Sequence, residues 1–428
     1  MYAASDKAPR RLLKPADLVD NFTAALYKVA PYRACAHGCR YCDGRAEKYY
    51  VEGDFERDIQ IREDIPSRLA AELPSLRERG MIAFGSGVTD PYQPCEAEKN
   101  LTGQAASILA DHAEASGKAV GPAGSLSEAD LFGKSTAPCV PSGLVMTKSA
   151  LALRDLPAWK RLNERSGFML LVSLTSLDEE VRELMEPGAS SFEERLALLK
   201  AYKEAGCLTG ILAMPFLPGL SDDEASIRRL YEAATAVGVD YLMPGGLTLR
   251  PGRQKELYLA TLAKARPELL APTKELFQEN RPSGMPTGAS LRRLSARIAS
   301  VRRDYHLPYL MPHEALTRLL PPHDAFRVLL RHMAELYKER HIDTSALMRS
   351  AQAYDDWLLG LRREFRRHRK LPATWLEERF AEGLHGGEFF KVLANQKLER
   401  FAAAVLLEGA TFDFISLKLR PSNVSRET

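Results

Sequence analysis

Residues 31–42 read PYRACAHGCRYC, and Cys35, Cys39 and Cys42 within them form a C-x3-C-x2-C loop just after the first stretch with strand character. Six cysteines in 428 residues is an ordinary count, but three of them fall in this one loop. Random placement would produce a given three-cysteine spacing with a probability on the order of 0.001. Arg40 and Asp43 make the loop polar, which argues against three plain core thiols. Thiolates on so tight a loop can hold three irons of a cubane 4Fe-4S cluster, and no fourth cysteine stands at a matching distance, so one iron is left open. An open iron can chelate the amino and carboxylate groups of S-adenosylmethionine. The reduced cluster can then send an electron into the sulfonium bond, giving a 5′-deoxyadenosyl radical that abstracts hydrogen from a substrate. A zinc ion would need a fourth ligand, and His37 lies inside the loop, where it cannot easily turn toward the same ion.

Around the loop, the first 250 residues alternate short apolar runs with longer amphipathic patterns, the signature of βα units and a mostly parallel sheet. Strands are predicted over Thr23 to Ala30, Met81 to Gly87, Leu144 to Lys148, Phe168 to Thr175, Leu208 to Pro215 and Tyr241 to Leu249. Helices are predicted over Ile65 to Arg79, Leu101 to Ser116, Pro157 to Arg165, Ser191 to Ala205 and Ser221 to Val237. Ser191 and Ser221 read as caps followed by carboxylates at the positive end of the helix dipole, and Gly206 and Gly238 read as stops. The stretch Gly117 to Gly143 is long for a connection and reads as an insertion or lid.

Arg281 to Ser290 (RPSGMPTGAS) reads as a linker. Beyond it, helices are predicted over Leu291 to Tyr305, Pro312 to Leu320, Asp324 to Arg340, Thr344 to Arg369, Pro372 to Gly383 and Glu388 to Gly409, with a final strand over Thr411 to Leu419. The division expected is an extension over 1–20, an α/β core over 21–250, a connecting segment over 251–290 and a basic helical domain over 291–428.

The net charge of +3 is too small to imply a polyanionic partner, but from Arg281 onward there are 25 Lys and Arg against 17 Asp and Glu. RREFRRHRK (Arg362 to Lys370) concentrates cations on one predicted helix, with Phe365 and His368 among them. Such a patch suits phosphates and stacked bases, and equally a solvated helix face beside the apolar stripe Trp357, Leu358, Leu361 and Phe365. The apolar stretches Phe168 to Leu174 and Gly210 to Leu220 fall short of the roughly 18 residues that span a bilayer. The N-terminal stretch lacks the apolar core of a secretory signal, so a reducing cytoplasm, no membrane and free thiols are expected. Gly85 to Gly87 is no dinucleotide fingerprint, since Asp90 stands where its third glycine belongs.

The cysteine spacing, with aromatic Tyr41 before the last cysteine, resembles the radical S-adenosylmethionine superfamily. Over about 190 residues, from Tyr32 to Leu220, the chain is similar to its spore photoproduct lyase-like (DNA repair photolyase-like) branch. The motifs that carry the likeness are PYRACAHGCRYC, TDPYQPCE (Thr89 to Glu96), TKSALALRD (Thr147 to Asp155), SLTS (Ser173 to Ser176), MEPGA (Met185 to Ala189) and PFLPGLSD (Pro215 to Asp222). The resemblance implies an α/β fold with a partial (β/α)6 TIM-type barrel, here followed by a mainly helical domain. It also implies a 4Fe-4S cluster on Cys35, Cys39 and Cys42, and S-adenosylmethionine seated by Tyr41, Thr89, Lys148 and Ser173. A flavodoxin or ferredoxin would serve as reductant, and a nucleic acid as substrate for lyase-type repair or modification. Thr89, Lys148 and Ser173 also sit at carboxyl ends of successive predicted strands, where barrels collect active-site groups.

Two positions depart from that family. Spore photoproduct lyase has a hydrogen-donating cysteine two residues before the position of Thr89, where this chain has Gly87. It has a tyrosine of the same relay just after the third cluster cysteine, where this chain has Asp43. Cys95 and Cys139 are the remaining candidates for a catalytic thiol, while Cys207 reads as core. The alternatives are an enzyme acting on a peptide or small metabolite with the insertion as its lid, and a non-enzymatic binding protein with a structural metal loop.

Overall fold

The computed structural model describes residues 3–4, 11–49, 51, 53–85, 87–116 and 139–421. Most of the predicted insertion, residues 117–138, lies outside the described residues, as does most of the first ten.

Six parallel strands form one sheet in chain order: β1 (Tyr27–Val29), β2 (Met81–Phe84), β3 (Ser142–Thr147), β4 (Phe168–Ser173), β5 (Leu208–Phe216) and β6 (Tyr241–Gly246). The register runs Tyr27 to Ile82, Ala83 to Leu144, Val145 to Leu170, Val172 to Ile211 and Leu212 to Met243. All four residues of β2 are buried, as are the first five of β4. Strands covered on both faces read as continuous apolar runs, which is why these were visible in the sequence.

The crossovers are α1 (Ile65–Glu72), α2 (Leu101–Ala115), α3 (Leu156–Ser166), α4 (Phe192–Glu204) and α5 (Glu224–Val237). Trp159 on α3 stacks on Phe168 at the start of β4 with ring centroids 4.5 Å apart, seating that helix on the sheet. Ser191 and Glu194 form a reciprocal capping box on α4. The cap of α5 is Asp223, not Ser221, whose hydroxyl instead accepts the Leu217 N–H at 3.0 Å. The helix begun at Ile65 stops at Glu72 because Pro74 follows, and a 3-10 turn completes it. The fold is α/β, a partial (β/α)6 barrel open between β1 and β6, with a helical C-terminal region.

That region contains α6 (Arg253–Ala265), α7 (Gly288–Arg302), α8 (His313–Leu319), α9 (Pro322–Glu339), α10 (Ser345–Arg367), α11 (Trp375–His385), α12 (Glu388–Leu393) and α13 (Gln396–Leu406). The predicted helix Glu388 to Gly409 is divided at Ala394, which takes φ +47°, and Asn395 caps the second half. The final run is no strand of the main sheet. Asp413 accepts the N–H groups of Ile415 and Ser416, turning the chain so that Thr411–Asp413 and Lys418–Arg420 pair as an antiparallel ribbon. One buried core runs from the sheet through α9 and α10 to Phe414. Among the described residues no helix is long and apolar enough to cross a membrane.

Two arginines of the basic run, Arg362 and Arg366, are spent on this packing. Arg362 is fully buried, donating to Asp324 at 2.6 Å and lying 3.4 Å from Glu78, and Arg366 forks onto Glu78 at 2.6 and 3.0 Å. Phe365 is buried and stacks on Trp375, with the Arg77 guanidinium 4.3 Å from its centroid. Glu78 precedes β2, so this junction lies at the amino-terminal end of the strands, the base of the barrel. Of the run's basic residues, Arg363, Arg367, His368, Arg369 and Lys370 are exposed, with Glu364 exposed among them.

Replacing Arg362 with Ala strands the Asp324 carboxylate in the core, while Glu78 keeps Arg366, an unpaired-charge defect of about 3–5 kcal/mol. Urea unfolding should show that loss for Arg362→Ala and no measurable loss for Arg363→Ala. Equal curves for the two variants would contradict this account of the junction.

Candidate functional site

The cysteine loop follows β1 and so lies at the carboxyl-terminal mouth of the barrel, where the ends of β2, β3 and β4 also arrive. Its backbone makes no regular structure, and Ala34, just before Cys35, takes φ +68°, a left-handed conformation costly for any residue but glycine. Three other segments hold it in place.

The first is TDPYQ after β2. The Thr89 hydroxyl donates to the Ala34 carbonyl at 2.8 Å, and the Gln93 amide donates to the same oxygen at 3.3 Å while accepting the Ala36 N–H at 2.9 Å. Asp90 is buried, and its carboxylate accepts from the Tyr92 N–H, the Thr147 hydroxyl and the Lys148 N–H, each at 2.8 Å, and faces His37 Nε2 at 3.2 Å. Burial works against this charge, yet the His37 imidazole and these donors hold the carboxyl below its usual range.

The second segment is MEPGA after β4. Gly188 donates its N–H to the His37 carbonyl at 2.9 Å, and its own carbonyl accepts from His37 Nδ1 at 2.8 Å. The Arg40 N–H reaches the Met185 carbonyl at 2.9 Å. The approach is so close that a Cβ on Gly188 would fall 2.6 Å from the Ala36 carbonyl oxygen. The third segment follows β6. The fully buried Gln254 amide donates to the Tyr41 carbonyl at 2.8 Å and to the Asp43 carboxylate at 2.9 Å. Asp43 also accepts from the Thr248 hydroxyl at 2.9 Å, so the side chain that replaces the family's tyrosine is engaged in holding the loop.

Burial raises the pKa of Cys35 well above the ordinary thiol value, pushes Cys39 up to about 12 and raises Cys42. The three groups lie within electrostatic reach of one another, since charge on Cys39 or Cys42 further disfavours a thiolate at Cys35. Such desolvated thiols become good ligands only when a cation replaces their protons. Among the described residues no group of three or more His, Cys, Asp or Glu is arranged to hold a single metal ion, and both ring nitrogens of His37 face other acceptors. His37 is therefore engaged elsewhere and does not stand as a fourth ligand beside the three cysteines. The donor set fits a cluster, in which each thiolate binds its own iron.

Beside the thiols sits a buried carboxylate that the sequence reading passed over. Glu186 of MEPGA is fully buried, 2.6 Å from Arg195 and 3.6 Å from Lys148 Nζ, and it accepts the Tyr41 hydroxyl. Burial opposes its charge, but Arg195 and then Lys148 hold its pKa at about 2. The Lys148 ammonium also lies 5.8 Å from the Tyr41 ring centroid and remains partly exposed. Arg195 donates to the Ser173 carbonyl at 3.0 Å, which fixes the end of β4.

Tyr41, Thr89, Lys148 and Ser173 thus converge on the mouth with the three cysteines. The two candidate catalytic thiols do not. Cys95 is buried in the apolar cluster under Cys35, and burial pushes its thiol up to about 12. Cys139 precedes β3 at the opposite end of the barrel, beside Glu377, Arg79 and Glu78. Gly87 stands next to Cys42, with nothing within 4 Å of where a Cβ would sit.

An α/β partial barrel with a three-cysteine loop clamped at its mouth defines the class, and comparison with known proteins agrees. Residues 29–230 match the model of the Radical SAM superfamily. An uncharacterised protein of Mycobacterium tuberculosis is 30% identical over 258 residues, 59% of this chain and 67% of the relative. An uncharacterised protein of Methanocaldococcus jannaschii is 24% identical over 201 residues, 47% of this chain and 64% of the relative. Among solved structures, spore photoproduct lyase complexed with dinucleoside spore photoproduct superposes with a TM-score of 0.47 at 16% identity, covering 71% of this chain and 79% of that one. The chain belongs to the radical SAM superfamily.

Ala at Gly188 should push the loop off its clamp, so Gly188→Ala should take up severalfold less iron and sulfide on anaerobic reconstitution. Gly87→Ala, entering open space, should load as wild type. Equal iron content in the two variants would show that the Gly188 contact does not set the loop.

Proposed function

We propose that the protein is a radical enzyme whose Cys35, Cys39 and Cys42 hold a 4Fe-4S cluster and whose mouth seats S-adenosylmethionine. When bound, that cluster supplies an electron to the sulfonium of S-adenosylmethionine and so yields a 5′-deoxyadenosyl radical for hydrogen abstraction. The observation that carries the reading is the clamped loop: three desolvated thiols within electrostatic reach of one another, with the nearby His37 imidazole committed to Gly188 and Asp90.

The residues divide by role. Lys148, held by Glu186 yet partly exposed, offers an ammonium to the cofactor carboxylate. Tyr41 supplies an aromatic wall whose hydroxyl is tied to Glu186. Ser173, at the end of β4, gives its carbonyl to Arg195, and its hydroxyl makes no hydrogen bond among the described residues and is offered to the cofactor. The Thr89 hydroxyl donates to the Ala34 carbonyl and accepts from the Gln93 amide at 3.4 Å, so it serves the cofactor by shaping the loop.

A nucleic acid is the proposed substrate, supported by the order and spacing of the motifs shared with the spore photoproduct lyase-like branch. The basic tail does not support it, because its exposed cations lie at the base, a strand length away from the cysteines. Strands of six residues separate the two ends by roughly 17 Å. A flavodoxin or ferredoxin is the proposed reductant.

The test is anaerobic reconstitution followed by dithionite and S-adenosylmethionine. Wild type should form 5′-deoxyadenosine, and Cys35→Ala, Cys39→Ala or Cys42→Ala should form none. Lys148→Ala should raise the KM for S-adenosylmethionine by about 10- to 100-fold, the worth of one charged hydrogen bond, with a smaller change in kcat. Formation of 5′-deoxyadenosine by a Cys39→Ala variant at the wild-type rate would remove the cluster assignment. Transfer of deuterium from a labelled nucleic acid into 5′-deoxyadenosine would identify the substrate.

A further inference from the structure

Outside the cysteine site, the molecule has a cavity of about 210 Å³ at the same end of the barrel. Its walls are Pro218 and Gly219, which follow β5, with Leu269 and Leu276 on one side and Arg293 and Arg297 of α7 on the other. The direction of α7 fixes its position. Leu294 lies 3.0 Å from where a Cβ on Gly246 would be, at the carboxyl end of β6, whereas Pro308, beyond the other end of α7, accepts the N–H of Leu242 near the start of β6. The first turns of α7 therefore stand at the mouth. Leu269 and Leu276 pack against the apolar cluster that holds Cys39 and Tyr41, so a thin apolar layer divides the cavity from the loop.

The charges in the cavity are unequal. Arg297 lies 3.1 Å from the Asp222 carboxylate and also donates to the Asp222 carbonyl, so it is already neutralised. Arg293 is solvent-exposed and makes no hydrogen bond or ion pair among the described residues, and the one carboxylate among the cavity's walls is Asp222. Asp222 itself is further engaged by the Gly219 N–H at 2.8 Å. The cavity thus carries one solvated guanidinium without a protein counter-charge, beside apolar Leu269 and Leu276 and the hydroxyls of Thr273 and Ser290.

A fork of N–H donors matches a phosphate, and the cavity is too small for a whole nucleotide chain but large enough for one such group. We propose that this cavity binds a phosphate of the substrate several residues away from the carbon that reacts, with Arg293 as its principal contact. This rests on the nucleic-acid reading above and gives that substrate a track at the mouth, in place of the tail at the base. Binding energy collected by a remote group of this kind can hold the reacting residue in register with the loop.

The probe is a fluorescein-labelled short single-stranded DNA, titrated against the reconstituted protein under anaerobic conditions over a range of salt. Two variants carry the same change of charge: Arg293→Glu at the mouth and Arg363→Glu on the exposed tail. Arg293→Glu should weaken binding about tenfold and lower the slope of log affinity against log salt by roughly 0.7, the share of one phosphate contact on a single strand. Arg363→Glu should follow wild type. If both variants weaken binding equally, the attraction is general charge and the cavity is not the site. If only Arg363→Glu weakens it, the strand lies at the base and the proposal fails while the nucleic-acid reading survives. If wild type does not bind DNA even at low salt, both fall, and 5′-deoxyadenosine formation still judges the radical chemistry separately.

Discussion

A loop that must turn three thiols toward one ligand cannot satisfy its own backbone, and its shape is set by whatever takes up its carbonyls and N–H groups. Here those partners come from the ends of alternate strands. Thr89 and Gln93 after β2 take the Ala34 carbonyl, Gly188 after β4 pairs with His37, and Gln254 after β6 takes the Tyr41 carbonyl. The left-handed backbone at Ala34 persists because two donors converge on it. The sheet matters to function mainly as the frame that brings these three segments to one place, since β2, β4 and β6 are not neighbours.

The same economy governs charge. Asp90 and Glu186 are both buried at the mouth, where an isolated carboxylate would be very costly. Each is therefore met by several partners from different segments: His37, Thr147 and the Lys148 N–H for Asp90, and Arg195, Lys148 and Tyr41 for Glu186. Lys148 belongs to both sets, with its backbone on Asp90 and its ammonium on Glu186. Its side chain is thereby held beside the thiols before any ligand arrives, and less rotamer entropy remains to be lost on binding.

The loop, the strands and their helices were legible in the sequence because their signals are local: cysteine spacing, apolar runs and caps within a few residues. The clamps were not, because the residues that give them meaning lie far apart in the chain. Glu186 was visible only as part of MEPGA, and its hydroxyl partner Tyr41 is 145 residues away. Gln254 is an unremarkable glutamine on an amphipathic helix until it meets Tyr41 across 213 residues. Arg366 reads as one more cation in a basic run, and its carboxylate, Glu78, is 288 residues away. Periodicity reports which face of an element is buried and is silent about which distant element covers it.

The two ends of the barrel thus hold charge for different purposes. At the base, Arg362 and Arg366 bind Glu78 and Asp324 and so lock α10 to the strands, while the exposed cations beyond them face away from the cysteines. At the mouth, the charged groups support a loop. The thiols divide in the same way. Cys139 and Cys207 stand at or before the starts of strands, Cys95 is buried under the loop, and only the three loop cysteines reach the mouth. Of the two positions where this chain departs from the family it resembles, Gly87 presents open space, and Asp43 is spent on the loop itself, its carboxylate engaged by Thr248 and Gln254.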